Sequence, residues 1–205
     1  MERVFKIKKA NVRFETRQLV LLALLTAIVI VLQFLGSFIR FGTFSVSLVL
    51  LPVVVGAALI GPFAGCWLGL AFGFVVLWTG DAGPFLAINP FGAVLVVLLK
   101  GALAGLAAGA VYRLLAGKNR TAAVVVAAIV APLVNTGVFV AGSYIFFLPA
   151  ITGWASGKGI ASATAYIFLL LIGGNFFFEM GINLVLSPVI VRLVQYGRDR
   201  RAVRS

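Results

Sequence analysis

The 205-residue chain is 62% hydrophobic and only 11% charged, with a formal net charge of +12 and a mean hydropathy of +1.17. Soluble domains carry about 25% charged residues, so a water-facing surface cannot be assembled from this composition. The chain is expected to be an all-α integral membrane protein embedded in a lipid bilayer.

The basic excess does not describe a nucleic-acid surface, because it sits in short flanks of apolar segments. Six of the 17 basic residues (Arg3, Lys6, Lys8, Lys9, Arg13 and Arg17) open the chain, and five (Arg192, Arg198, Arg200, Arg201 and Arg204) close it. Three more cluster at Arg113, Lys118 and Arg120. Only Arg40, Lys100 and Lys158 stand apart.

A membrane-crossing helix needs about 20 mainly apolar residues, and six candidates follow in order. After a basic N-terminal segment over residues 1–17, the run Gln18–Ile39 is too long for the core of a signal peptide and shows no small-x-small cleavage site. It is expected to be a retained first span, and it carries Ala23 and Ala27 four residues apart. Arg40 follows it directly. The second and third candidates, Phe44–Ile60 and Pro62–Trp78, are divided only by the turn-forming pair Gly61-Pro62.

The third span has glycine at positions 61, 65, 69 and 73, and the fourth, Phe85–Tyr112, has it at 101, 105 and 109. Glycine every fourth residue flattens one helical face, so that another backbone can approach it closely. Packing within the chain suffices to explain both ladders. Between these spans the chain reads Trp78-Thr79-Gly80-Asp81-Ala82-Gly83-Pro84-Phe85-Leu86-Ala87-Ile88-Asn89-Pro90. This is either a shaped lid, with the Asn89 side chain free to point inward, or a connector that caps the next helix, and Trp78 is expected near the outer interface. The fifth candidate is Thr121–Phe147, and the sixth, Ala161–Val191, is longer than a span requires, so it is expected to tilt or to begin with an interfacial turn. Residues 18–196 thus form one six-helix membrane domain, followed by a basic tail over 197–205. With both termini in the cytoplasm, the three large basic clusters lie inside, as the positive-inside rule requires.

Polar residues within the spans share one depth. Lys100 precedes Arg113 by thirteen residues and Glu179 precedes Arg192 by thirteen, while Asn135 follows Arg120 by fifteen. At about 1.5 Å per residue, all three lie roughly 20–22 Å from their cytoplasmic arginines, near the middle of a core about 30 Å thick. Asn175 and Asn183 lie one turn to either side of Glu179 on the same face. An ionised side chain at that depth costs about 2.5–3.5 kcal/mol, so Lys100 and Glu179 must meet protein, water or ligand. They either form a structural ion pair or floor a polar cavity that opens outward.

No residue set for common catalysis is present. Histidine is absent, Cys66 is alone, there is no closely spaced aspartate pair for magnesium, and no phosphate-binding loop occurs. The chain is therefore expected to have no catalytic residues, no bound metal and no cofactor.

Four features resemble the substrate-binding S component of an energy-coupling factor vitamin transporter. These are the short basic N-terminus, six helices in about 200 residues with Ala23-x-x-x-Ala27 on the first, the run Arg40-Phe-Gly-Thr-Phe-Ser-Val-Ser-Leu with Leu51-Pro-Val-Val-Val-Gly-Ala-Ala-Leu-Ile-Gly-Pro-Phe-Ala-Gly65 after it, and Phe85-Leu-Ala-Ile-Asn-Pro90 before the glycine-laddered helix. The resemblance implies a multi-pass protein of a bacterial or archaeal plasma membrane. Such a protein captures a vitamin from outside, in a cavity roofed by loops, and delivers it by toppling against a membrane T component that two ATPase subunits drive. It assigns Ala23 and Ala27 to T-component docking, and Arg40, Trp78, Asp81, Asn89, Lys100, Asn135, Asn175 and Glu179 are the candidate substrate-binding residues. Pantothenate is the leading candidate vitamin, since the Gly61-Pro62 turn and Asn89-Pro90 look most like pantothenate-type members and Lys100 could meet a carboxylate, with folate or riboflavin next. Two rival readings are a stand-alone proton-coupled transporter using Glu179 and a membrane assembly subunit without a small ligand.

Overall fold

In the computed structural model, the described residues are 15–38, 40–41, 44–45 and 48–202. The basic segment expected over residues 1–17 lies almost wholly outside them. The first helix, α1 (Thr16–Phe38), leads into a two-stranded antiparallel ribbon, β1 (Arg40–Phe41) with β2 (Phe44–Ser45), in which Arg40 faces Ser45 and Phe41 faces Phe44. Then come α2 (Leu50–Leu59), α3 (Pro62–Thr79), the one-turn α4 (Gly83–Leu86), α5 (Pro90–Leu115), α6 (Arg120–Phe146), α7 (Leu148–Gly157) and α8 (Ala163–Tyr166). A π-helical stretch, Ile167–Gly173, joins α8 to α9 (Gly174–Ala202).

Among the described residues, five segments are long and apolar enough to cross a bilayer: Thr16–Phe38, Pro62–Thr79, Pro90–Leu115, Arg120–Phe146 and Ala163–Arg192. The expected second span, Phe44–Ile60, is corrected. Its first residues belong to the ribbon, and among its described residues only Leu50–Leu59 is helical, a length of about 15 Å at the α-helical rise. Every residue of α2 except Leu51 is buried, as befits a helix that is apolar all round. The expected fourth span is also corrected at its start. Phe85 belongs to α4, and α5 begins at Pro90, where the fixed proline φ suits the first helical position.

Helix α7 was not foreseen. It has only ten residues, two of them glycine, and buries Ile151 and Ala155, so it is too short to stand out as a span in the sequence. The lengthened sixth span resolves into the capped turn of α8, where Ser162 Oγ accepts from Ala165 N at 3.1 Å, and the π-helical stretch after it.

Helices α3 and α5 form the most extensive pairing in the bundle. Their glycine ladders face each other antiparallel. A methyl group added at Gly65 would overlap the Gly105 carbonyl, and one added at Gly69 would overlap the Gly101 carbonyl. Gly109 abuts Pro62 in the same way. The turn between α2 and α3 depends on Gly61, whose φ of +140° excludes other residues in practice, and the Arg113 guanidinium lies over it. Without a water-driven hydrophobic force between helices in lipid, this close van der Waals contact is the main force joining them. A larger core cluster around α2 includes Val29, Val53, Leu68, Phe72 and Tyr112. A second, at the ribbon end, gathers Phe85, Phe147, Ile151, Tyr166 and Ile167.

Backbone-to-backbone contact cannot yield to an added side chain. Gly69→Ala and Gly101→Ala are expected to lower stability by about 1–3 kcal/mol through overpacking, read as a lower midpoint of thermal unfolding in detergent. Gly137 has nothing within 4 Å of an added methyl, so Gly137→Ala is expected to stay within about 0.5 kcal/mol of the parent.

Candidate functional site

The rotation that turns Gly101 onto α3 leaves its neighbour Lys100 facing the space between α3, α6 and α9. There a small cavity of about 60 Å³ is lined by Gln33, Phe72, Asp81, Phe85, Lys100, Asn135, Phe139 and Glu179, with Val76, Ala82, Ala93, Val96, Val97 and Phe147 completing its walls. The three groups placed at one depth from the sequence, Lys100, Asn135 and Glu179, therefore do share one chamber.

Each arrives by a different route. Asn135 is 6% exposed on α6 and Glu179 is 2% exposed on α9. Asn183, one turn along α9, donates from Nδ2 to the Glu179 backbone carbonyl at 2.9 Å. Lys100 reaches in from α5 with its Nζ 5.5 Å from the Phe72 ring centre and 5.7 Å from that of Phe139, within the range of a cation–π contact. Glu179 and, more weakly, Asp81 interact with it electrostatically. Asp81 is brought inward by Gly80, whose left-handed φ of +78° ends α3 and turns the chain back over the bundle. Its Oδ2 accepts from Thr79 Oγ1 at 3.2 Å and from Gln33 Nε2 at 3.0 Å.

A second, larger chamber of about 360 Å³ lies beside the first, lined by Asp81, Pro84, Phe85, Gly153, Trp154, Gly157, Lys158, Tyr166 and Leu171. Asp81 and Phe85 belong to both, so α4 forms the partition between them. Phe85 is held edge-on by Phe139, Phe147 and Trp154, at ring-centre distances of 5.6, 4.9 and 5.6 Å. A third recess of about 40 Å³ extends from Lys100 and Asn135 toward Leu171, Ile172 and Phe176, past the π-helical stretch. Stretches of this kind are frequent where a helix must present side chains to a site.

Two of the candidates stand apart from these chambers. Trp78 is 88% exposed, and its ring faces the surroundings of the bundle. The side chain of Asn89 is the N-cap of α5, accepting from Gly92 N at 2.9 Å, so the expectation that it points inward is corrected. A short polar side chain before a proline-led helix satisfies a backbone donor that would otherwise lack a partner. Arg40 and Asn175 have side chains outside the described residues, and their backbones lie in β1 and at the start of α9.

Sequence reasoning missed Gln33 and the aromatic walls. Gln33 is 1% exposed inside an otherwise apolar stripe of α1 made by Leu25, Val29 and Gly36. A lone amide in such a stripe was the available signal. The aromatic walls gave none, because phenylalanine occurs throughout the chain. Ala23 and Ala27 lie on the opposite face of α1 and are exposed, among Val20, Leu24, Ile30 and Val31.

No curated protein matches the sequence. Among solved structures, ThiT from Listeria monocytogenes, determined by native-SAD phasing, is similar at 20% identity with a TM-score of 0.64, over 89% of this chain and 96% of that one. That likeness shows a shared fold. Residues 17–191 match the family described as the substrate-specific component of ECF transporters, and a match over so much of the chain shows that this protein belongs to that family.

Proposed function

We propose that this protein captures a water-soluble vitamin or related micronutrient in the paired chambers and hands it to a membrane T component powered by two ATPase subunits. The observation that carries this reading is the chamber around Lys100. It sets two carboxylates, an ammonium and two amides among aromatic rings, inside a bundle whose outer surface is apolar. Charged groups inside a membrane bundle are expensive and mark substrate paths.

The ribbon end is proposed to face outward, with both termini in the cytoplasm. This places the clusters at Arg113, Lys118 and Arg120 and at the two chain ends inside. On this reading, α2 is a sixth, half-length membrane segment. The docking face for the T component is proposed at Ala23 and Ala27, where small side chains on the outer face of α1 permit close approach. The preference for pantothenate comes from the likeness of the Gly61-Pro62 turn and Asn89-Pro90 to pantothenate-type members and from Lys100 as a partner for a carboxylate. The chamber that holds Lys100 is also lined by two carboxylates, Asp81 and Glu179, so the substrate is proposed at the level of the vitamin class. The direct test is mass spectrometry of small molecules that co-elute with the purified protein. A protein that carries none, and gains no thermal stability from any water-soluble vitamin, would contradict capture.

Ala23→Trp and Ala27→Trp are expected to abolish uptake in cells while changing vitamin affinity of the isolated protein less than about threefold, since neither lines a chamber. Normal uptake by both would remove the docking assignment. Removing one partner of a buried pair typically costs about 3–5 kcal/mol, whereas replacing both is often neutral. Lys100→Met is therefore expected to lower the melting temperature sharply, and the double variant with Glu179→Gln to restore it without restoring ligand binding. Full affinity in the restored variant would show that these charges serve only the fold.

A further inference from the structure

Gln33 is wedged between two demands. A carboxylate offers only acceptors, so the bond to Asp81 Oδ2 fixes the Gln33 amide nitrogen toward Asp81 and commits Oε1 to the other direction. That oxygen is buried in the chamber wall and meets no hydrogen-bond donor among the described residues. Asn135 Oδ1, on another wall of the same chamber, is also buried without a donor. Buried carbonyl oxygens are rarely left so, and both belong to a space large enough to admit a guest.

The charges around them favour one kind of guest. The described lining carries two carboxylates, Asp81 and Glu179, and one ammonium, Lys100. Two aromatic rings already flank the ammonium. An entering anion would add a further negative charge to a desolvated setting, where unbalanced charge is costly. A hydrogen-bond donor on a neutral or positive head would instead complete the two oxygens. The inner chamber, about 60 Å³, admits only such a head, and the larger one, about 360 Å³ with Trp154 and Tyr166 in its walls, can take the remainder.

Resting on the vitamin-capture reading, we propose that the ligand inserts a donor-bearing, neutral or cationic nitrogen head into the inner chamber, and that Gln33 reads it through Oε1. Amino-substituted heterocycles and protonated amines fit this description, and carboxylates do not.

The test is calorimetric titration of the full-length protein, purified in detergent and stripped of bound small molecules. Thiamine and pyridoxamine serve as amine-bearing probes without a carboxylate, and pantothenate and biotin as carboxylate probes. Saturable binding of at least one amine probe and of neither carboxylate is expected. Gln33→Leu is expected to weaken that binding at least tenfold with little change in melting temperature. If Gln33→Leu does not fold, Asn135→Leu is read in its place and is expected to weaken binding at least fivefold. Preferential binding of pantothenate or biotin would overturn the inference while leaving vitamin capture intact. Unchanged affinity in the variants would also overturn it, showing that the two oxygens are merely hydrated. Failure of all four probes would overturn it as well, and capture itself would fall only if, in addition, no molecule co-eluted and no water-soluble vitamin raised the thermal stability.

Discussion

The contact between α3 and α5 sets the geometry of everything else in this protein. Two glycine ladders bring the helix backbones together, so neither helix can rotate about its own axis without driving a side chain into the other. With Gly101 fixed on α3, Lys100 must face the neighbouring space, and Val96, Val97 and Ala93 line the same wall. On the other helix, Phe72 lies beside Gly73 and meets the lysine. The ammonium is therefore positioned by residues that never touch it.

A second constraint acts from above. The α3–α5 connection turns inward at Gly80, delivers Asp81 to Gln33 of α1, and then sets the one-turn helix α4 between the two chambers. The Phe85 ring on that turn is clasped by Phe139 of α6, Phe147 at the α6–α7 junction and Trp154 of α7. The partition thus links three parts of the bundle that are far apart in sequence. Aromatic edge-to-face contacts hold it, and these are worth only about 0.5–1.5 kcal/mol apiece beyond burial. The inner polar layer, by contrast, is tied into helices that cross the bundle.

Much of this was legible in the sequence, for physical reasons. Depth follows from the helical rise, so counting residues from the arginines at the span ends placed Lys100, Asn135 and Glu179 at one level, and they line one chamber. The ladders followed from period-four spacing of glycine. What the sequence hid depended on direction rather than depth. Asn89 could turn inward or cap its own helix, and the local backbone donor at Gly92 won. Trp78 could line a chamber or face outward, and the rotation set by the ladder turned it out. Gln33 has no charge to signal it, and its importance appears only once Asp81, forty-eight residues away, folds over it. Apolar periodicity could not separate a strand from the start of α2, nor foresee a helix as short as α7.

The π-helical stretch at Ile167–Gly173 bears on how such a protein can diverge. A π turn amounts to one residue more than an α-helix would use over the same path. Deleting a single residue there would restore ordinary helix, leaving Glu179 and all that follows in register. The segment before it would swing by about 100°, the angle of one helical residue. Tyr166 and the wall of the outer chamber would be re-aimed by that one event, with the buried charges undisturbed. The wall of the outer chamber that Tyr166 and Leu171 form can thus be reshaped by a single deletion that leaves Glu179 in place.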